Sequence, residues 1–196
     1  QMNDAPVLTL LLREWGYHTA AFISNDMVRF LGGMFEHFER FDERKYRDTH
    51  DDGFYQTTNA ALQWLEGNVG KPFFLFIHYW DPHDPYNPVA EFDLWSAGLE
   101  GNELAAARYD GEIRFVDAKV QMLLDKLDEL GIADNTIVVY STDNGAEKVT
   151  WPDGGITPFH GEKGTTWEGG FRVPAVVRVR ARQHAGGAGA IYRAGV

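Results

Sequence analysis

The 196-residue chain has no cysteine, which excludes both a disulfide framework and a thiolate zinc site within it. No stretch approaches the roughly 18 apolar residues that a membrane-spanning helix needs. Basic residues are scarce: 18 Lys and Arg stand against 29 Asp and Glu, for a formal charge of −11. The basic footprint of a nucleic-acid-binding protein is therefore missing. The opening residues, Gln1 to Val7, show neither a basic n-region nor a hydrophobic h-region, and they do not begin with methionine. The sequence thus reads as a fragment or a processed product. What is present is 44% hydrophobic and 14% aromatic residues, the composition of a soluble globular domain large enough for a real core.

The hydrophobic pattern alternates between helical and extended segments. Pro6 marks a helix entry, Val7 to Trp15 form the helix, and Gly16 stops it. Thr19 to Ser24 read as a buried strand. Residues 25–50 carry no sustained period and predict a long surface excursion anchored by the aromatics between Phe35 and Phe41. A helix is expected from Asp51 to Glu66, with apolar residues at Phe54, Ala61, Leu62 and Leu65. Phe73 to Tyr79 is apolar on both faces, as a central parallel strand should be, and runs into the turn-rich loop Trp80 to Tyr86. Residues 87–108 read as an irregular connection. The strongest helix spans Asp110 to Leu130, with a stripe of Ile113, Val116, Val120, Leu123, Leu124, Leu127 and Leu130 that reads as core. Strands follow at Thr136 to Ser141 and Val173 to Val179. Strands separated by helices predict an α/β fold with a mostly parallel sheet and helices on both faces. No second domain is expected.

The residues from 178 to 196 differ from the rest, with four arginines, no acidic residue and an Ala/Gly-rich centre. Two readings stand: a basic tail for an anionic partner, or a terminus that is disordered or altered by a reading-frame error, the latter preferred. The organisation expected is a domain over 1–177 followed by an atypical tail over 178–196.

The chemistry concentrates at strand ends. The strand ending at Ser141 leads into Asp143-Asn144-Gly145, where ligands gather in open α/β sheets. A carboxylate beside a carboxamide offers the hard oxygens that Ca2+ or Mg2+ prefers. Asp-Asn-Gly is also a good turn sequence, and only its place after a β-branched strand favours a site. The glycine-rich stretch from Thr157 to Pro174 holds Lys163, a compact positive charge, and its glycines suggest backbone held close to something. His83 lies in the loop beyond the Phe73 strand, placed to donate to an anionic oxygen or deliver a proton. His78 reads as structural and His160 as either a site residue or an exposed loop residue; Asp81 and Asp84 could be metal ligands, but Asp-Pro turns explain both more cheaply.

Three segments carry a resemblance: Phe74 to Pro85, Tyr140 to Gly145, and Thr157 to Pro174. Together with the helix segment Tyr109 to Asp117 they resemble the sulfatase family, arylsulfatases in particular, within the alkaline-phosphatase-like superfamily. The resemblance spans roughly Val7 to Val177 and implies part of a catalytic domain, with hydrolysis of a small-molecule sulfate ester as the activity and a periplasmic or secreted location. It implies that Asp143 and Asn144 are ligands of Ca2+ (or Mg2+), that Lys163 binds the sulfate, and that His83 contacts the sulfate or its leaving oxygen. The family nucleophile is a formylglycine made from the first residue of Cys/Ser-x-Pro-x-Arg. None of Ser24, Ser96 or Ser141 opens that motif. The family's amino-terminal Asp pair and its carboxy-terminal subdomain have no match in this chain, which is therefore expected to be inactive by itself. A phosphodiesterase or phosphonate monoester hydrolase relative is the neighbouring alternative, and a degenerate non-catalytic fragment is the other.

Overall fold

A computed structural model describes residues 7–25, 33, 35–43, 53–148, 155–179 and 190–194, with backbone alone for 53–55 and 190–194. The chain divides into two compact units, Gln1–Leu130 and Gly131–Val196, where the sequence suggested one body.

The first unit holds helix α1 (Leu8–Glu14), strand β1 (His18–Ile23), strand β2 (Arg40–Glu43), helix α2 (Gly53–Gly67), strand β3 (Phe73–His78) and helix α3 (Gly101–Glu129). The expected entry to α1 at residues 4–6 lies outside the described residues. Gly16 ends α1 with φ +83°, a left-handed turn that costs glycine little. The sheet order is β2-β1-β3. Both pairings are parallel, with Ala20 opposite Arg40 on one side and His18 opposite Phe73 on the other.

Being central, β1 is covered on both faces, and Thr19 through Ile23 are almost fully buried. The two-residue period of the strand sorts its side chains. Ala20 and Phe22 join Leu75 and Ile77 under Ala60, Ala61 and Trp64 of α2 and Leu123 of α3. Ala21, Ile23 and Phe76 face Phe35, Phe38 and Phe41 instead. Phe35 is stacked 5.2 Å from Phe41 and lies 5.7 Å from Phe76. The aromatic anchor expected there therefore exists, each buried ring contributing roughly 1.5–3 kcal/mol.

Three expectations need correction. The excursion over 25–50 contains β2, a four-residue strand whose Arg-Phe-Asp-Glu sequence hides its role at the sheet edge. Helix α3 begins at Gly101, not Asp110, taking in the last part of the 87–108 connection, whose earlier residues are irregular as expected. Its buried face also differs from the apolar stripe: Gly111, Glu112, Phe115, Val116 and Lys119 are buried, while Ile113 is exposed.

The second unit holds a short 3-10 turn (Ala133–Asn135), strand β4 (Ile137–Ser141), the single-turn helix α4 (Glu168–Phe171), strand β5 (Ala175–Val179) and strand β6 (Ala190–Ala194). The order is β4-β5-β6 and both pairings are antiparallel. The parallel arrangement thus holds for β1 to β3 and not for the last three strands. Pro174, lacking an N–H, stands just before β5, where a strand tolerates it. Strand β5 crosses the boundary expected at 177, and Ala190-Ile-Tyr-Arg-Ala194 of the tail continues the sheet against it. Ile191 and Tyr192 are good strand formers, and β5 offers them an open edge. The expected disorder therefore does not extend to 190–194, and residues 180–189 lie outside the described residues.

Candidate active site

In the first unit the chemistry lies past the carboxyl end of β3. Ser24, immediately after β1, ties the two strand ends together. Its backbone N–H and its hydroxyl both donate to His78 O, each at 3.1 Å. The same hydroxyl oxygen accepts the Trp80 N–H at 2.7 Å. This anchor turns the chain into the loop Asp81-Pro-His-Asp-Pro85, in which His83 is exposed. The His83 N–H donates to Trp80 O at 3.0 Å, and its ring packs on the Trp80 indole with centroids 3.9 Å apart. His83 Nδ1 lies 2.7 Å from the Asp84 carbonyl oxygen. A carbonyl only accepts, so Nδ1 carries a hydrogen and Nε2 is the nitrogen turned to other partners. His78 is a half-buried strand residue, its carbonyl engaged by Ser24, in line with the structural role expected of it.

Behind the loop is a cluster that the sequence did not disclose. Asp81 is 8% exposed and Glu112, on α3, is 2% exposed. Glu112 Oε1 accepts the Asn87 N–H at 2.5 Å, while Glu112 Oε2 and Asp81 Oδ2 are buried without a hydrogen-bond partner. Burial pushes the Asp81 carboxyl up to about 7. Burial, with the charges of Asp81 and Asp84, pushes Glu112 up to about 8. The available signal was positional: Glu112 stands three and four residues before Phe115 and Val116, on the face that packs. Tyr79, whose hydroxyl lies 2.8 Å from Thr58 Oγ1, is pushed up to about 12 by burial.

In the second unit β4 delivers Asp143-Asn144-Gly145. Asn144 Nδ2 donates to Asp143 Oδ1 at 2.7 Å, which leaves Asn144 Oδ1 and the other Asp143 oxygen as hard donors. Lys163 occupies a turn closed by the Thr165 N–H on Glu162 O at 3.0 Å, with Gly164 at φ +81°. Thr165 Oγ1 reinforces it from both sides of Glu162. The turn is fastened to the Asp143-Asn144 loop: Lys163 N–H donates to Ala146 O at 3.1 Å, and Gly145 N–H to Gly170 O at 2.9 Å. Lys148 N–H adds a bond to Glu162 Oε2 at 2.8 Å. Lys163 Nζ lies 3.8 Å from Glu147 Oε2.

The glycines explain this closeness. A Cβ on Gly145 would overlap the Gly169 carbonyl, one on Gly169 would overlap the Gly161 carbonyl, and one on Gly170 would overlap that of Thr165. The backbone held close, as the sequence suggested, is held against other backbone. His160 serves this packing, its carbonyl accepting the Gly169 N–H at 2.7 Å and its ring edge-on to Trp167 at 4.5 Å.

Asp143, Asn144 and Lys163 therefore belong to one unit and His83 to the other. Among the described residues no group of three or more His, Asp or Glu side chains could hold a metal ion. The adjacent Asp143 and Asn144 oxygens fit part of a Ca2+ or Mg2+ shell, which takes six or more oxygens.

The parallel sheet flanked by helices in the first unit belongs to the α/β, alkaline-phosphatase-like fold class. The Sulfatase family model matches residues 1–193, and the chain belongs to that family. It is 31% identical over 121 residues to an arylsulfatase of Hemicentrotus pulcherrimus, a match covering 61% of this chain and 20% of that protein. Against the N-acetylgalactosamine-6-sulfatase of Mus musculus it is 36% identical over 124 residues, covering 61% of this chain and 22% of the other. A solved sulfatase from Pseudoalteromonas sp. shares the fold, with a TM-score of 0.63 at 22% identity over 86% of this chain and 44% of that one. The matches thus span about a fifth of the length of these curated relatives.

Proposed function

We propose that the protein containing this chain hydrolyses a sulfate ester with the aid of Ca2+ or Mg2+, with Asp143 and Asn144 as ligands of the cation and with Lys163 and His83 as the groups that act on the sulfate. The observation that carries this reading is the fastening of the Lys163 turn to the Asp143-Asn144 loop through Ala146 and Gly170. It supports the reading because it ties the backbone of Lys163 to the loop that carries Asp143 and Asn144, and an anionic ester needs both a cation and an ammonium group. Asp143 and Asn144 would hold the cation, which when bound screens charge on the sulfuryl oxygens. Lys163 offers its ammonium donors to a sulfate oxygen. His83, with Nδ1 committed to Asp84 O, presents Nε2; in the protonated ring this nitrogen donates to the departing oxygen, which leaves more readily as an alcohol or phenol.

No residue of this chain supplies the family nucleophile, since it has no cysteine and no serine that opens Cys/Ser-x-Pro-x-Arg. The 196 residues alone are therefore expected to show no turnover. Asn144 favours sulfate over phosphonate or phosphodiester substrates, because relatives acting on those tend to carry Asp-His-Gly at this place. The test is a parallel assay of the complete protein on an aryl sulfate and an aryl phosphonate, with and without a chelator. Chelator-sensitive turnover of the sulfate supports the reading; a preference for the phosphonate overturns it.

A further inference from the structure

The loop that carries His83 is fixed at both ends, and the two anchors differ in kind. At its start, Trp80 N–H is held by the Ser24 hydroxyl from the end of β1. At its finish, Asn87 N–H is held by the Glu112 carboxyl from α3. Between them the chain is also tied to itself, through His83 N–H to Trp80 O, His83 Nδ1 to Asp84 O, and Asn87 Nδ2 to Pro85 O.

Side-chain packing brings the loop to α3 just beside this second anchor. A Cβ on Gly111 would stand 2.9 Å from Pro88 Cβ and 3.0 Å from Phe92 O, so the absence of a side chain lets residues 88–92 lie against the helix. Phe92 then meets Phe115 edge-on at 5.3 Å, and Tyr86 meets Tyr109 at 5.4 Å. An isosteric apolar residue would satisfy packing at position 112. Only a polar side chain satisfies the Asn87 N–H, and Glu112 is nonetheless almost wholly buried.

We propose that Glu112 is a positioning residue for His83: its buried carboxyl group pins the chain at Asn87 and so sets where the His83 loop stands. The proposal rests on the reading of His83 as the group that meets the ester oxygen.

The charge state of Glu112 is set by its surroundings. The charged groups acting on Glu112 are Asp81 and Asp84 from the loop, both of like sign, and both raise its proton affinity. Tyr79, beyond β3, stays neutral through the physiological range, with burial holding it up to about 12. Lys119, two turns along α3, packs 4.9 Å from the Phe115 ring, and its own charge is opposed by burial and favoured by Glu91. Near neutrality Glu112 is accordingly a neutral acid that accepts the Asn87 N–H through its carbonyl oxygen. Ionising Asp81 and Glu112 together sets two buried like charges against each other, whereas the Asn87 N–H favours the charged Glu112, so the carboxyl accepts that N–H in either state.

The experiment uses the complete protein and its Glu112→Gln and Glu112→Leu variants. Amide exchange at Asn87 and the backbone amide NMR signal of His83 are compared at about pH 6. Glu112→Gln, which keeps an acceptor, should leave both close to the wild type. Glu112→Leu should lower Asn87 protection by about tenfold and displace the His83 signal. A folded Glu112→Leu with a wild-type His83 signal overturns the proposal. A displaced His83 signal with unchanged aryl sulfate turnover would instead uphold the anchor and overturn the role assigned to His83.

Discussion

The two units achieve tightness by opposite means. In the first, side chains fill the space: β1 is enclosed by Ala60, Ala61 and Trp64 on one face and by phenylalanines on the other. Gly16, Gly70 and Gly98 serve turns where a Cβ would meet nothing within 4 Å, and Gly111 is the exception that lies close to Pro88 and Phe92. In the second unit the glycine-rich loop is held by the absence of side chains, with Gly145, Gly169 and Gly170 letting backbone meet backbone and Gly161 giving room to the Thr165 and Trp167 side chains. A core of side chains can shift rotamers to absorb a change, whereas stacked peptide groups have no such freedom. The lysine turn is therefore a stiff mount, and the His83 loop, fixed by one serine and one acid, is an adjustable one.

The largest expected effect breaks the stiff mount. Gly145→Ala should cost more than about 4 kcal/mol in urea unfolding, because its Cβ would overlap a carbonyl that cannot yield. Gly70→Ala, at φ +82° in open space, should cost only about 1 kcal/mol. Equal losses at the two positions would erase the contrast.

The next effect tests the adjustable mount through pH. Asp81 and Glu112 rise on folding from ordinary values of 3.8 and 4.5 to about 7 and about 8. Between those limits the folded state holds more protons than the unfolded one, so their contribution is whole below about pH 4 and is lost as pH climbs through 7 and 8. The melting temperature should fall on going from about pH 5 to about pH 9, by the equivalent of a few kcal/mol. Glu112→Gln should flatten the slope, and an unchanged slope would dissociate this acid from the loop.

Smaller again is Ser24→Ala, which removes a donor to His78 O and an acceptor for Trp80 N–H. It should cost about 1–2 kcal/mol by thermal melting. The smallest effect belongs to the exposed Arg172–Glu168 pair, 2.5 Å apart one turn along α4. Arg172→Ala should change stability by no more than about 0.5 kcal/mol.

Much of this was visible in the sequence where one local rule decides. Apolar runs gave β1 and β3, Gly16 marked the end of α1, and Asp143-Asn144 does follow a strand, β4, which ends at Ser141. What escaped depends on partners far along the chain. Strand β2 is a strand because Ala20 to Ile23 offer it an edge, not because Arg-Phe-Asp-Glu prefers one. The antiparallel order of β4, β5 and β6 follows from pairings that hydrophobic period alone does not specify. Glu112 carries the charge of a surface residue, and only the approach of Asn87 across 25 positions reveals why it is buried.

The account stands most directly on Lys163, the one ammonium on the turn laced to Asp143 and Asn144. The decisive measurement is kcat/KM for an aryl sulfate in the complete protein and in its Lys163→Ala variant, with the melting temperature as a check on folding. Removing a preorganised donor to developing charge should lower kcat/KM by at least about 100-fold at an unchanged melting temperature. A Lys163→Ala variant within about twofold of the parent would contradict the account, since an effect that small is under 1 kcal/mol.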